Sequence, residues 1–125
     1  MKIQPDATSG RSITGYGPGW VRVAGERIEH SVVISSTGVQ FAWAASSFDS
    51  LNAEHFEQLA ALGTELVIFG SGARLRFPPP PLTRALIERQ IGLETMDSPA
   101  ACRTYNFLLA EGRHVALALL LEPVQ

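Results

Sequence analysis

Four apolar residues, Leu66-Val67-Ile68-Phe69, run without interruption into Gly70-Ser71-Gly72. A run this short and this apolar fits a strand buried on both faces and is too brief for an ordinary helix. It belongs in the middle of a sheet. The two glycines that stop it allow the backbone to turn with φ > 0 or to pass close to another group. A candidate functional edge therefore begins where the strand ends.

The chain beyond this point alternates strand and helix signals. Leu75 and Phe77 alternate with Arg74 and Arg76 up to Pro78-Pro79-Pro80-Pro81. Four prolines in a row lack N–H donors and have fixed φ, so this stretch is extended. Pro81 suits the first turn of a helix from about Leu82 to Ile91, with Leu82, Leu86 and Ile87 or Ile91 facing inward and Gly92 as terminator. Leu93 to Met96 is a short strand, Asp97 or Ser98 with Pro99 opens a helix to about Ala110, and Gly112 ends it. Val115 to Leu121 is a second continuous apolar strand. Right-handed crossovers make the three strands parallel. The core is expected on Leu66, Ile68, Phe69, Met96, Leu117 and Leu119.

The N-terminal half has a different texture. Residues 1–12 are polar and are expected as a surface arm, leaving one domain over 13–125. Apolar segments at Ile13 to Val23, Ile28 to Ile34 and Val39 to Trp43 are separated by turn residues, which predicts a β-meander. Asn52 is the expected N-cap of a helix to about Leu62, with Leu51 stapled to Phe56 and Gly63 as its left-handed end. The fold class is thus α/β, with an N-terminal β-meander and a sheet carrying parallel βαβ crossovers.

Composition narrows the functional classes. With 125 residues, 46% of them hydrophobic, there is enough apolar material for one core. A formal net charge of -2 argues against a nucleic-acid partner held by phosphate neutralisation. Cys102 is the only cysteine, so no intrachain disulfide forms and a reducing compartment fits. No apolar run approaches the ~20 residues of a transmembrane helix, and the N-terminus lacks a signal-peptide core, so the cytoplasm is the expected location.

Several motifs taken together resemble a known family. Phe69-Gly70-Ser71-Gly72, Phe77-Pro78, Gly92 through Ser98, Ala100 through Asn106 and Glu111-Gly112-Arg113 are similar to those of a widespread family of small domains of unknown function. That family includes the mitochondrial respiratory complex I assembly factor 3 and bacterial and archaeal members. The resemblance implies a three-layer α/β fold in which a β-meander accompanies a central mixed sheet. It brings no enzymatic activity and no catalytic residues.

The residues themselves offer little catalytic chemistry. Gly70-Ser71-Gly72 is not the G-x-S-x-G elbow, and an extended segment follows it where that motif needs a helix. A phosphate loop fails for want of its G-K-S/T ending. His30, His55 and His114 lack metal-ligand spacing, and no cofactor is expected. Glu94 and Asp97 can act as acid or base if a pKa is raised, but capping the next helix is the simpler role for Asp97. Cys102 fits a small buried apolar side chain. Arg103, Thr104 and Asn106 spread over more than one helical face and can tie the helix to a loop.

Two functional readings remain. If the Leu66 and Leu93 strands are parallel, Gly70, Ser71 and Gly72 emerge beside Ser98 at the carboxyl edge of the sheet, where open α/β folds place ligands. With Arg74 they could hold a small anion or other small molecule. The leading reading is a non-catalytic interaction or assembly domain that binds a protein partner. Its expected surface is Phe77 with the rigid Pro78 to Pro81 ridge, Pro79 and Pro80 above all, joined by Trp43, since extended proline segments lose little entropy on binding and aromatics are enriched at interface hot spots.

Overall fold

The computed structural model describes residues 11–123, so most of the expected arm over 1–12 lies outside the described residues. The strands are β1 (Ile13–Gly17), β2 (Trp20–Val23), β3 (Glu26–Ile28), β4 (Val32–Ser35), β5 (Gln40–Ala42), β6 (Leu66–Gly70), β7 (Gly92–Met96) and β8 (Val115–Leu119). The α-helices are α1 (Ala53–Ala60), α2 (Arg84–Glu88) and α3 (Ser98–Ala110). β1, β2 and β3 form an antiparallel sheet, and the other five strands form a mixed sheet in the order β5-β4-β8-β6-β7. β6 lies between β7 and β8 and is parallel to both. β4 runs antiparallel to β8 and to β5.

The expected meander is therefore divided. Its first three strands stay together, while β4 and β5 join the central sheet. The cause is visible in β4, Val32-Val33-Ile34-Ser35, every residue of which is buried. A strand covered on both faces needs a layer on each side, and only the central sheet provides that.

Strand alternation assigns each buried residue of the central sheet to one of two cores. Ile34, Ile68, Leu117 and Leu119 face α3 and the meander, where they meet Ala101, Cys102, Tyr105, Val21, Val23 and Ile28. Val33, Val67, Phe69, Ala118 and Leu120 face α1 and α2 and pack on Trp43, Phe56, Leu59 and Leu86. The result is three layers with the sheet in the middle. Of the expected core, Ile68, Phe69, Leu117 and Leu119 are fully buried, while Leu66 and Met96 pack against it from the strand ends. Burying each such side chain contributes about 1.5–3 kcal/mol. The second core is further organised by edge-to-face aromatic pairs, Trp43 with Phe56 at 6.1 Å, Trp43 with Phe69 at 6.0 Å and Phe56 with Phe69 at 5.7 Å.

Helix ends follow the sequence signals with one exception. Asn52 Oδ1 accepts from the Glu54 and His55 N–H groups, and His55 Nδ1 accepts from Asn52 N–H, a reciprocal capping box. Gly63 closes the turn after α1 at φ +72°. Asp97 caps α3 through the Ala100 N–H. The exception is α2, which is shorter than the expected 82–91 because a 3-10 turn, Pro80–Thr83, precedes it. Gly92 does not terminate it. The reversal falls on Gln90, at φ +59°, and Gly92 instead starts β7, where a Cβ would stand 3.1 Å from Leu66 Cδ1. Leu86 faces inward and Ile91 packs at the core margin, whereas Ile87 is exposed. Among the described residues no helix is long and apolar enough to cross a membrane.

Candidate binding cleft at the sheet edge

Parallel pairing brings the ends of β6 and β7 out side by side, and hydrogen bonds stitch them together. Ser71 N–H donates to Met96 O at 2.8 Å, Ser98 N–H to Gly72 O at 2.8 Å, and Gly72 N–H to Ser98 Oγ at 3.0 Å. Ser98 Oγ in turn donates to Leu120 O at 3.2 Å, which binds the segment after β8 to the same corner. Gly70, Ser71, Gly72 and Ser98 are thus neighbours, as the sequence predicts. Gly70 is needed for close approach, since a Cβ there would lie 2.7 Å from Leu119 Cδ2 and 2.9 Å from Ser98 Oγ. Gly72 holds φ +104°, a region that side chains avoid.

Ser71 is a structural hydroxyl. It is fully buried, accepts from Arg76 N–H at 2.9 Å and donates toward the carbonyls of Arg74 and Met96 at 2.8 and 3.1 Å. Its partners are all backbone groups, and none is a base.

Arg74 is exposed, and the arginine that turns inward is Arg76. Arg76 Nη2 donates to Ser71 O at 2.6 Å and to Glu122 Oε1 at 2.7 Å, while Glu122 Oε2 accepts from Phe48 N–H at 2.8 Å. The guanidinium lies 4.7 Å from the centre of the Phe48 ring. Partial burial of Glu122 pushes its pKa up, but the Phe48 N–H and the Arg76 and Arg74 charges outweigh it. Together they hold the carboxyl below its ordinary value. Strand alternation hides this pair from a sequence reading, because it points Arg76 outward with Arg74. Glu122, directly after an apolar strand and before Pro123, was the available signal.

Over this corner opens a cleft of about 470 Å³. The β1–β2 turn (Tyr16 to Gly19) forms one wall, Gly72, Ala73, Ser98 and Pro99 a second, and Leu120 to Pro123 a third. Arg74 is not in the lining. The N–H groups of Ser71, Gly72, Ser98 and Ala100 already have protein partners, and Pro99 has none to offer. Tyr16 Oη accepts from Arg103 Nη1 at 2.9 Å. What remains on the walls is largely proline, leucine and aromatic surface beside one carboxylate, which favours an apolar or neutral ligand body over an anion. Sequence reasoning missed the contribution of Tyr16 to Gly19, whose alternation of glycine with aromatic and proline residues was its only mark.

The remaining candidates fall elsewhere. Phe77 is 68% exposed and Leu75 50%, and Pro79 and Pro80 are exposed beyond them while Pro78 is buried as an anchor. Trp43, grouped with this ridge in the sequence reading, is only 3% exposed; it is the centre of the aromatic cluster and adds no surface. His55 is held by Asn52 and by Ala44 O, 3.2 Å from Nε2, a geometry that sets the Nε2–H tautomer. Asn106 bonds both backbone groups of Ile13, at 2.9 and 2.7 Å, tying α3 to the meander. Burial pushes the Cys102 thiol up to about 12, offset in part by Arg103. Burial also raises Tyr105, whose hydroxyl has no partner among the described residues. Among those residues, no cluster of His, Cys, Asp or Glu could hold a metal ion.

A model of the family described as Protein of unknown function (DUF498/DUF598) matches residues 13–120. NADH dehydrogenase (ubiquinone) 1 alpha subcomplex assembly factor 3 of Bos taurus is 36% identical over 65% of the chain and 45% of that protein. An uncharacterised protein of Rhodobacter capsulatus is 34% identical over 96% of the chain and 92% of that protein. The crystal structure of a Bordetella parapertussis protein superposes with a TM-score of 0.86 at 34% identity, covering 94% of this chain and 100% of that one. The chain spans about half the length of the mammalian assembly factors it matches, 45% of the bovine and 60% of the mouse protein.

Proposed function

We propose that this chain, which belongs to the DUF498/DUF598 family of proteins of unknown function, works as a non-catalytic, assembly-factor-like domain that binds a protein partner. The observation that carries this reading is Phe77. A phenylalanine left 68% exposed on a stiff extended segment, with Leu75 half exposed two residues before it and proline after it, keeps apolar surface in water. Such a patch is suited to a partner because the prolines have little backbone freedom left to lose on binding. That relatives bear the name of an assembly factor supports the same reading. Its one cysteine is a free, buried thiol, which supports placing the protein in a reducing compartment such as the cytoplasm.

The test is affinity capture from native lysate with wild type, Phe77→Ser, and Pro79→Ser/Pro80→Ser, each shown to be folded by amide spectra. A partner retained by wild type and lost from both variants is expected. An identical partner list from all three removes the ridge as the binding surface.

A second reading has its own observation, the cleft of about 470 Å³ over Gly72 and Ser98. It is a small-molecule site walled by Tyr16 to Gly19, Gly72, Ala73, Ser98 and Leu120 to Pro123, with an apolar or neutral ligand as occupant. Amide-shift titration with a small apolar fragment library would show it as shifts confined to Tyr16–Gly19, Gly72–Ala73 and Ser98. Titration with phosphate and sulfate tests the anion alternative at the same amides.

A further inference from the structure

The central sheet ends at β7, and the pairing of β7 with β6 fixes which of its backbone groups point away. Gly92 N–H donates to Glu65 O at one end of the ladder, and Met96 O accepts from Ser71 N–H at the other. Parallel strands bond through alternate residues, so Gly92, Glu94 and Met96 are the residues that pair with β6 in the observed register. The N–H and C=O groups of Leu93 and Thr95 therefore face outward. Among the described residues no other strand pairs with this edge. An uncovered edge of this kind is a template for another strand.

The side chains decide which strand. Leu93 packs at the margin of the α1/α2 core and Met96 at that of the α3 core, so Glu94, alternating with Leu93, projects on the α3 side, where it is exposed. A second copy of the chain would have to pair antiparallel about a two-fold axis. The register that satisfies Leu93 and Thr95 of both copies is centred on Glu94. It sets two glutamates directly opposite each other, in the closely spaced kind of pair, where like charges are destabilising. A partner strand with a cation at that position meets the same hydrogen-bonding groups and gains an opposite-charge pair instead.

We propose that the outer edge of β7 is a docking site for an extended segment of a partner protein that places a lysine or arginine opposite Glu94, and that the same glutamate keeps two copies of this chain from joining through it. The site is separate in the chain from the Phe77 ridge and does not depend on it. Recognition here is by β-strand addition, with main-chain bonds to Leu93 and Thr95 supplying affinity and Glu94 supplying selectivity.

The test uses the full chain, ¹⁵N-labelled, and two capped peptides, Thr-Val-Thr-Lys-Thr-Val-Thr and the same sequence with Glu in the centre. In the free protein the Leu93 and Thr95 amides exchange quickly with solvent while Glu94 is protected. At millimolar concentration the lysine peptide shifts and protects Leu93 and Thr95, and the glutamate peptide binds roughly fivefold more weakly. Glu94→Lys reverses that preference. Thr95→Pro removes only an outward N–H, so it keeps the β6–β7 contacts and loses the response. In sedimentation equilibrium, Glu94→Thr self-associates more strongly than wild type. Protection of Leu93 and Thr95 in the free protein, equal binding of the two peptides, no response to either, or a wild-type dimer dissociated by Thr95→Pro would each overturn the proposal.

Discussion

Arg76 and Glu122 stand 2.7 Å apart across 46 residues of sequence, and their pairing closes the corner at which three segments of the chain meet. The guanidinium holds the Gly70–Gly72 turn through Ser71 O, and the carboxylate holds the segment after β8 to Phe48 N–H. Both side chains are about a quarter exposed, 22% and 30%, so solvent weakens the pair without removing it.

That arrangement makes stability depend on pH in a defined direction. Because the folded state lowers the pKa of Glu122, the carboxylate stabilises the fold above its unfolded pKa, near 4.3. This contribution is lost as pH falls through the lower folded value. Glu122→Gln is expected to cost about 1 kcal/mol at pH 7, less than a fully buried charged hydrogen bond contributes, and less than that at pH 2.5. Urea denaturation of both proteins at the two pH values measures it. A cost that stays constant with pH would mean that the carboxylate's shape matters and its charge does not.

Gly70 permits α3 to sit close against β6. Gly70→Ala places a methyl group against Leu119 Cδ2, Ser98 Oγ and Ala101 Cβ, at 2.7, 2.9 and 3.2 Å. Leu119 and Ala101 are fully buried, so the strain cannot be shed into solvent. The substitution is expected to destabilise by roughly 1–3 kcal/mol. Thermal unfolding would expose it, and amide shifts concentrated at Ser98 to Ala101 and Leu119 would locate it. An unchanged melting temperature would show that the corner is loosely packed.

The parallel direction of β6, β7 and β8 was legible because each strand is bounded by turn or capping residues and joined to the next by a helix, the crossover that parallel strands require. The caps at Asn52 and Asp97 were legible for a local reason, since a side chain bonding its neighbour's N–H needs no tertiary information. What could not be read depends on contacts distant in sequence. β4 looked like one more turn of a meander until its burial on both faces assigned it to the central sheet. Gln90 gave no sign that it, and not Gly92, would take positive φ, nor did Gly92 show that it would lie across the sheet from Leu66, where a Cβ would stand 3.1 Å from Leu66 Cδ1. For the site, the glycine turn and Ser98 were visible as strand and helix ends, whereas the wall from Tyr16 to Gly19 comes from a separate sheet laid over the corner by α3.

Cys102 offers a second test of pH linkage, with the opposite sign to Glu122. Burial raises its thiol to about 12 in the folded protein, against about 8.5 for an exposed cysteine. The neutral thiol is favoured by the fold, so stability is full below pH 8.5 and declines as pH rises above it, where the unfolded chain ionises and the folded one does not. Cys102→Ala is expected to flatten this decline between pH 8.5 and 10.5. A disulfide reagent should label the native protein slowly at pH 8 and rapidly in 8 M urea. Rapid labelling of the native state would show that α3 opens far more readily than its packing implies.

Trp43 and Phe77 look alike in sequence, two aromatics near the middle of the chain, and the structure gives them opposite duties. Trp43 is 3% exposed and touches His55, Phe56 and Phe69 edge to face, so Trp43→Ala leaves a cavity under β5 and α1 and is expected to cost about 3–5 kcal/mol. Phe77 is 68% exposed, and Phe77→Ser should change stability by no more than about 0.5 kcal/mol in either direction. Urea midpoints of the two variants, measured beside the capture experiment, give the contrast its functional meaning. A Phe77 that can be removed without loss of stability but not without loss of partner is retained for binding. If Phe77→Ser instead destabilises the fold by 2 kcal/mol or more, the side chain is packing against the body of the protein, and the ridge is a means of leading the chain into α2.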